Sequence, residues 1–258
     1  GLRPGDLTMP EEVNRVLTDR ISHLLLTPSE DASENLRREG LPEERIHLVG
    51  NVMIDTLLAC LPKAKASGTV QRLGLRPGAY AVATIHRAGN VDDRETLERL
   101  VEALDRVQQR LPVVFPLHPR TRMRLQAFGR MDRIHAMRGL QAILPQGYLE
   151  MIDLVAHAKV VLTDSGGLQE ETTALGVPCL TLREETERPI TVREGTNLLV
   201  GTQPGPIVDA VDAILAGGGK RGRPPPLWDG RTSERIVGVI RRFVQAPVRE
   251  VGRAGSSS

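Results

Sequence analysis

"LTDSGGLQEE", Leu162–Glu171, closes one apolar run and leads into "TTALGVPCLTL". A run that stops at Thr163 or Asp164, followed by serine, two glycines and a helix starting at about Gly166, is a strand-to-helix junction. In an open α/β sheet such junctions lie at the carboxyl edge, where ligands bind. Ser165, Gly166 and Gly167 would offer unpaired backbone N–H groups there. Glycine admits an anion closely, and the helix dipole favours negative charge. A phosphate is the natural occupant. Glu171 follows Gly167 by four residues, on the same helical face, with its Cβ directed back toward the N-terminus. Its carboxylate can therefore accept from both hydroxyls of a ribose attached to that phosphate. A lone "SGG" would read as an ordinary glycine turn with solvated glutamates. The ordered set of strand, small residues, glutamates and "GVP" favours a nucleotide site.

Working outward, apolar β-type runs alternate with amphipathic stretches, the pattern of a parallel sheet covered by helices. Predicted strands are "SHLLLT", "YAVATI", "PVVFPL", "QAILP", "KVVLTD", "PCLTL" and "NLLVG". Helical spacing is expected over 92–110, 120–129, 148–158, 167–176 and 204–216, for instance at Leu97, Leu100, Val101, Leu104 and Val107. The strands are continuous apolar runs, as when both sheet faces are covered. A doubly wound, Rossmann-type α/β domain follows, its pattern clearest from about 70 to 217 and its bounds set at 49–217. Residues 1–48 hold one predicted strand and two helices, too little for a sheet of their own, and read as the end of a second α/β domain. Residues 218–230 read as a linker, 231–246 as a helix packing back toward residues 1–48, and 247–258 as a disordered tail.

The composition narrows the function. Lysine occurs only at Lys63, Lys65, Lys159 and Lys220, so thirty of the 34 basic residues are arginine, interleaved with acids as on solvated helix faces. With a net charge of +2 and 2% aromatics, the chain lacks stacking platforms for single-stranded nucleic acid, and no nucleic-acid partner is expected. No apolar run approaches a membrane span of roughly 20 residues, and the opening "GLRPGDLTMPEE" lacks the regions of a signal peptide. No membrane association and a cytoplasmic setting are the resulting expectations. Cys60 and Cys179 each sit in an apolar run and read as core.

Other strand ends carry ionisable residues. "ATIHRAGN" puts His86 and Arg87 at the same carboxyl edge, where an imidazole can exchange protons near neutral pH and an arginine can hold a diphosphate. A lone histidine is more often structural; here the position and the neighbouring arginine balance the two readings. In "PLHPRTR", His118 reads as a supporting residue that fixes its loop. Arg188 of "TERP" could face a phosphate or pair with Glu187. Glu11 and Glu12 open a helix, where acids commonly match the dipole.

Taken together, "GLRPGDLTMPEEVNR", "VGNVMID", "TIHRAGN", "HPRTR", "LTDSGGLQEE", "LGVPCLTLREETERP" and "GTNLLVGT" closely resemble the non-hydrolysing UDP-N-acetylglucosamine 2-epimerases, from Gly1 to about residue 245. The resemblance implies a GT-B-like pair of Rossmann-type domains, a homodimer, no cofactor and no metal. The implied activity interconverts UDP-GlcNAc and UDP-ManNAc by elimination of UDP, through 2-acetamidoglucal, and re-addition. By the same resemblance Ser165, Gly166 and Gly167 hold the diphosphate, Glu171 the ribose, and the "LPQGYLE" loop containing Tyr148 the uracil. Arg87 and Arg188 lie toward the phosphates, and His86 and Glu11 are the catalytic residues. Gly89 stands where the family pattern has a glutamate. Most of the family's first domain, with two of its carboxylates, has no counterpart, which implies a truncated chain, inactive alone. The alternatives are the donor half of a GT-B glycosyltransferase and a UDP-binding module without catalysis.

Overall fold

The structure, a computed structural model, describes residues 1–3 and 10–245. The expected tail at 247–258, and the last residue of the 231–246 helix, lie outside the described residues. Helix α1 (Pro10–Ile21), strand β1 (Leu25–Thr27), helix α2 (Glu30–Arg38) and strand β2 (Ile46–Leu48) come first. They are followed by α3 (Val52–Ala66), α4 (Thr69–Arg72), β3 (Ala81–Thr84), α5 (Ala88–Val91), α6 (Arg94–Gln108) and β4 (Val113–Pro116). Next are α7 (Pro119–Ala127), α8 (Met131–Ala136), β5 (Leu140–Ile143), α9 (Tyr148–Ala156) and β6 (Val160–Thr163). The chain continues through α10 (Gly166–Leu175), β7 (Cys179–Thr181), α11 (Pro189–Arg193), β8 (Asn197–Leu199), α12 (Pro204–Leu215) and α13 (Thr232–Gln245).

Six parallel strands form the main sheet in the order β5-β4-β3-β6-β7-β8. Counted along the chain that is 3-2-1-4-5-6, the order of the dinucleotide-binding fold, with its switch point between β3 and β6. Alternation along β3 divides the core. Ala81, Ala83 and Ile85 pack into a cluster with α6 and α12. Tyr80 and Val82 pack into another with Leu154 of α9 and Leu168 of α10. The predicted apolar stripe of α6 is buried at Leu97, Leu100, Val101, Leu104 and Val107. The "GVP" motif marks the other end of α10: Gly176, at φ 71°, takes the left-handed conformation that stops the helix and turns the chain into β7.

Three expectations change. Residues 1–48 contain two strands, not one: β1 pairs in parallel with β2, with Leu25 opposite Ile46. Helix α3 was not predicted at all. Its sequence is apolar nearly throughout, so no single stripe stands out. It buries Ile54, Leu57 and Ala64 against Ile152, Ile190 and Trp228 while exposing Val52 and Met53. Cys60 is only partly buried, whereas Cys179 is in the core.

The segment from 218 to 231 is irregular but pinned. Arg223 N–H donates to Glu194 O at 2.9 Å, and Trp228 Nε1–H donates to Pro28 O at 2.9 Å. Gly222 lies so close to the main chain that a Cβ there would stand 2.1 Å from the Gly195 carbonyl carbon. Helix α13 then rests on α3, with Asp55 accepting from the N–H groups of Thr232 and Ser233 at 3.1 and 2.7 Å. The Phe243 ring reaches within 6.4 Å of His23. No helix among the described residues is long and apolar enough to cross a membrane.

Candidate active site

At the switch point, β3 and β6 are paired up to Thr84 opposite Thr163, whose hydroxyls meet at 2.6 Å. Beyond them the chains part. One enters Ile85, His86 and Arg87; the other enters Asp164, Ser165 and the start of α10. The divergence opens the crevice where a doubly wound sheet takes its ligand.

Asp164 stitches the two branches together. It has no solvent exposure. Its Oδ2 accepts from the N–H groups of His86 and Arg87, each at 2.9 Å, and from Asn90 Nδ2 at 3.1 Å. Its Oδ1 lies 2.8 Å from His86 Nδ1. Burial alone would raise the carboxyl, but the His86 side chain and these backbone donors outweigh it and hold Asp164 below the ordinary carboxylate value. Arg87 is fixed from two sides, by Nε donating to Asp164 O at 3.1 Å and by Nη2 donating to Glu187 at 2.6 Å.

Ser165 caps α10, its Oγ accepting from Leu168 N–H at 3.5 Å while its own N–H donates to Thr163 Oγ1 at 2.9 Å. The N–H groups of Gly166 and Gly167 sit in the first turn and have no intrahelical partner. Behind Gly166 lies an ion network. Arg183 and Arg188 approach Glu187 at 2.7 and 3.1 Å, and Arg188 Nε lies 3.0 Å from Glu170. Burial would raise Glu187, yet Arg183 and Arg87 bring it down to about 2. A Cβ on Gly166 would stand 2.9 Å from both Arg188 Nη1 and Glu187 Oε1, so only glycine lets the helix start abut this network.

Two adjoining cavities meet at His86. The smaller, about 390 Å³, is lined by His86, His118, Gln146, Tyr148, Ser165, Gly167 and Glu171 among others. Burial pushes Glu171 up to about 7, opposed by a hydrogen bond from Tyr148 Oη at 3.3 Å. Tyr148 rises to about 12 through its own burial and the neighbouring carboxylate. The larger, about 620 Å³, is lined by Glu11, Arg15, His86, Arg87, Gly89, Asn90, Arg120 and Arg183 among others. Gly89 has nothing within 4 Å of a would-be Cβ, so the position that departs from the family pattern faces open space. His118 Nδ1 accepts from Arg120 N–H at 3.2 Å, capping α7, and its ring centroid lies 5.4 Å from that of His86.

The predicted residues thus sort by place. Tyr148, Ser165, Gly167 and Glu171 surround one cavity, Glu11 and Arg87 the other, and His86 both. Gly166 and Arg188 line neither; Arg188 is engaged with Glu170 and Glu187. Sequence reasoning missed Asp164 and Glu187. Asp164 was legible as the acid between the strand's last threonine and the cap; Glu187 carried no signal beyond its neighbour Arg188. The described residues contain no group of three or more His, Cys, Asp or Glu placed to hold a metal ion.

The family model for UDP-N-acetylglucosamine 2-epimerase matches residues 1–241. The chain belongs to the UDP-N-acetylglucosamine 2-epimerase family. A member from Methanocaldococcus jannaschii, a UDP-N-acetylglucosamine 2-epimerase, is 42% identical over 245 residues, covering 93% of this chain and 66% of the relative. A Pseudomonas aeruginosa member, a UDP-2,3-diacetamido-2,3-dideoxy-D-glucuronate 2-epimerase, is 42% identical over 219 residues, covering 83% of this chain and 59% of the relative. The chain therefore spans about two thirds of the length of the first of these curated epimerases. The crystal structure of the M. jannaschii epimerase with UDP-GlcNAc and UDP superposes with a TM-score of 0.84 at 42% identity, over 93% of this chain and 67% of that one. The Neisseria meningitidis epimerase bound to UDP-GlcNAc gives 0.83 at 29% identity, over 94% and 68%. The fold is that of these GT-B-like epimerases, as the resemblance implied.

Proposed function

We propose that the chain carries the nucleotide-binding wall of an enzyme that interconverts UDP-GlcNAc and UDP-ManNAc. One observation carries the reading: His86 stands in the wall shared by the cavity that Tyr148, Ser165, Gly167 and Glu171 line and the charged cavity that also holds Glu11. In this reading the uridine enters the smaller cavity beside Gln146 and Tyr148. Glu171 accepts from the ribose hydroxyls. The free N–H groups of Gly166 and Gly167, with Arg87, hold the diphosphate, and Arg188 adds positive charge behind the helix start. The sugar then projects past His86 toward Glu11.

The chemistry needs that division. A base takes the proton from C2, the C1–oxygen bond breaks with its electron pair going to UDP, and a C1=C2 double bond forms in 2-acetamidoglucal. UDP then adds back to C1 while a proton reaches C2 on the opposite face. Nothing is oxidised or reduced, and UDP must be retained between the steps, so anion holders and proton-transfer groups share one site. His86 and Glu11 are assigned to proton transfer. A homodimer and a cytoplasmic setting, expected from the sequence, are further parts of this proposal.

The test is titration of the chain with UDP-GlcNAc, then proton NMR of the anomeric signals after incubation. The incubation is run on the chain alone and on the chain supplemented with the amino-terminal third of the M. jannaschii relative. Binding, and UDP-ManNAc formed in either arm, is the expected result. Neither binding nor product in either arm would overturn the reading.

A further inference from the structure

We propose that Asp164 is a positioning residue that holds the His86 imidazole in its Nδ1–H form, leaving Nε2 as the lone-pair nitrogen open to the two cavities. The proposal adds to the reading of His86 as a proton-transfer group and rests on it for its purpose, though not for its geometry.

The hydrogen-bond inventory of Asp164 leaves little choice. Its Oδ2 takes three N–H donors, from His86, Arg87 and Asn90. Its Oδ1 stands 2.8 Å from His86 Nδ1 and 3.2 Å from the His86 backbone N. An ionised carboxylate only accepts, so the Nδ1 facing it must carry the proton. A neutral imidazole has a single N–H, so Nε2 is then an acceptor. Turning the ring over would put a carbon in place of Nδ1 against Oδ1 and lose that contact, while the bonds from the His86 and Arg87 N–H groups fix where the buried carboxylate stands. With His86 37% exposed on its side chain, the free nitrogen remains reachable. A buried carboxylate that fixes the tautomer and direction of an imidazole base is a general device for aiming a lone pair.

His118 supplies an internal contrast. Its Nδ1 accepts from Arg120 N–H at 3.2 Å, so its neutral form carries the proton on Nε2. Two rings 5.4 Å apart, both lining the smaller cavity, are thereby set in opposite tautomers: one offers a lone pair, the other an N–H.

The imidazole 15N shifts of the ligand-free, histidine-labelled chain, recorded at a pH where both rings are neutral, test this. His86 is expected to show a protonated Nδ1 and an unprotonated Nε2, and His118 the reverse. In Asp164→Asn the Nε2–H form of His86 should grow to more than half of the population, with His118 unchanged. A predominantly Nε2–H His86 in the unaltered chain would overturn the proposal, and so would an unshifted His86 in a folded Asp164→Asn. If that variant does not fold, the unaltered chain alone decides. The readout uses no substrate, so its failure leaves the epimerase reading standing, and absence of UDP-GlcNAc binding would leave the tautomer assignment standing.

Discussion

Tyr148 Oη donates to Glu171 Oε1 across 3.3 Å, from the first residue of α9 to the second turn of α10. The bond does not fully offset burial, which leaves Glu171 raised to about 7. Because the folded value is raised, this residue's contribution to stability is complete below the ordinary carboxylate range and is lost as pH climbs through about 7. Donation from ribose hydroxyls favours the ionised form. UDP-GlcNAc, whose diphosphate does not titrate in this range, should therefore bind about tenfold more weakly at pH 6 than at pH 8 and release a proton on binding. Calorimetry in buffers of different ionisation enthalpy measures both effects. Glu171→Gln should flatten the dependence, and a flat profile in the unaltered chain would remove Glu171 from the ribose.

The two glycines of the junction should fail differently. Gly166→Ala drives a methyl into Arg188 and Glu187, which a buried network holds in place, and should cost about 1–3 kcal/mol in denaturant unfolding. At Gly167 a Cβ meets the flexible end of Met53 at 3.4 Å and Ser165 Oγ at 3.9 Å, both ordinary contacts, so Gly167→Ala should leave stability nearly unchanged while weakening UDP binding. Equal stability losses in both variants would contradict this separation.

If the proposed chemistry holds, His86→Ala and Glu11→Gln in the active enzyme should each reduce kcat by about 10²-fold or more with much smaller changes in UDP affinity, as for groups acting in proton transfer. Paired measurements of turnover and UDP dissociation constant check it. Wild-type turnover in either variant removes that residue from the chemistry.

Gly222→Ala tests the pinned segment. Its Cβ would collide with main chain, which cannot swing aside, so residues around 222 must lift off Gly195. A loss of about 2–3 kcal/mol is expected, together with faster proteolysis between 218 and 231. An unchanged unfolding midpoint would show that the segment is only loosely attached.

What the sequence made legible follows from how each element is stabilised. Strands β3, β4, β6 and β7 are buried on both faces and read as unbroken apolar runs; α6 shows a stripe because one side faces water. Strand β2 escaped notice because three residues, with His47 in the middle, carry too little pattern, and its parallel partner β1 lies well back in the chain, Leu25 pairing with Ile46. The site was legible where chemistry follows local order, as in the cap and glycines of α10. It was not legible at Asp164, whose partners at 86, 87 and 90 lie past the end of β3 and in α5, nor at Glu187, whose role depends on three arginines brought together only by the fold.

The bond from Trp228 to Pro28 joins residues 200 positions apart, and Arg235 likewise donates to Val49 O at 3.2 Å. On the ribosome, residues 25–50 emerge long before either partner has been made. At roughly 5–20 residues per second, that first segment waits on the order of 10–40 s for its anchor. During synthesis it is an unfinished surface that needs shelter, and a premature stop codon anywhere before Trp228 strands the beginning of the chain as well as the end.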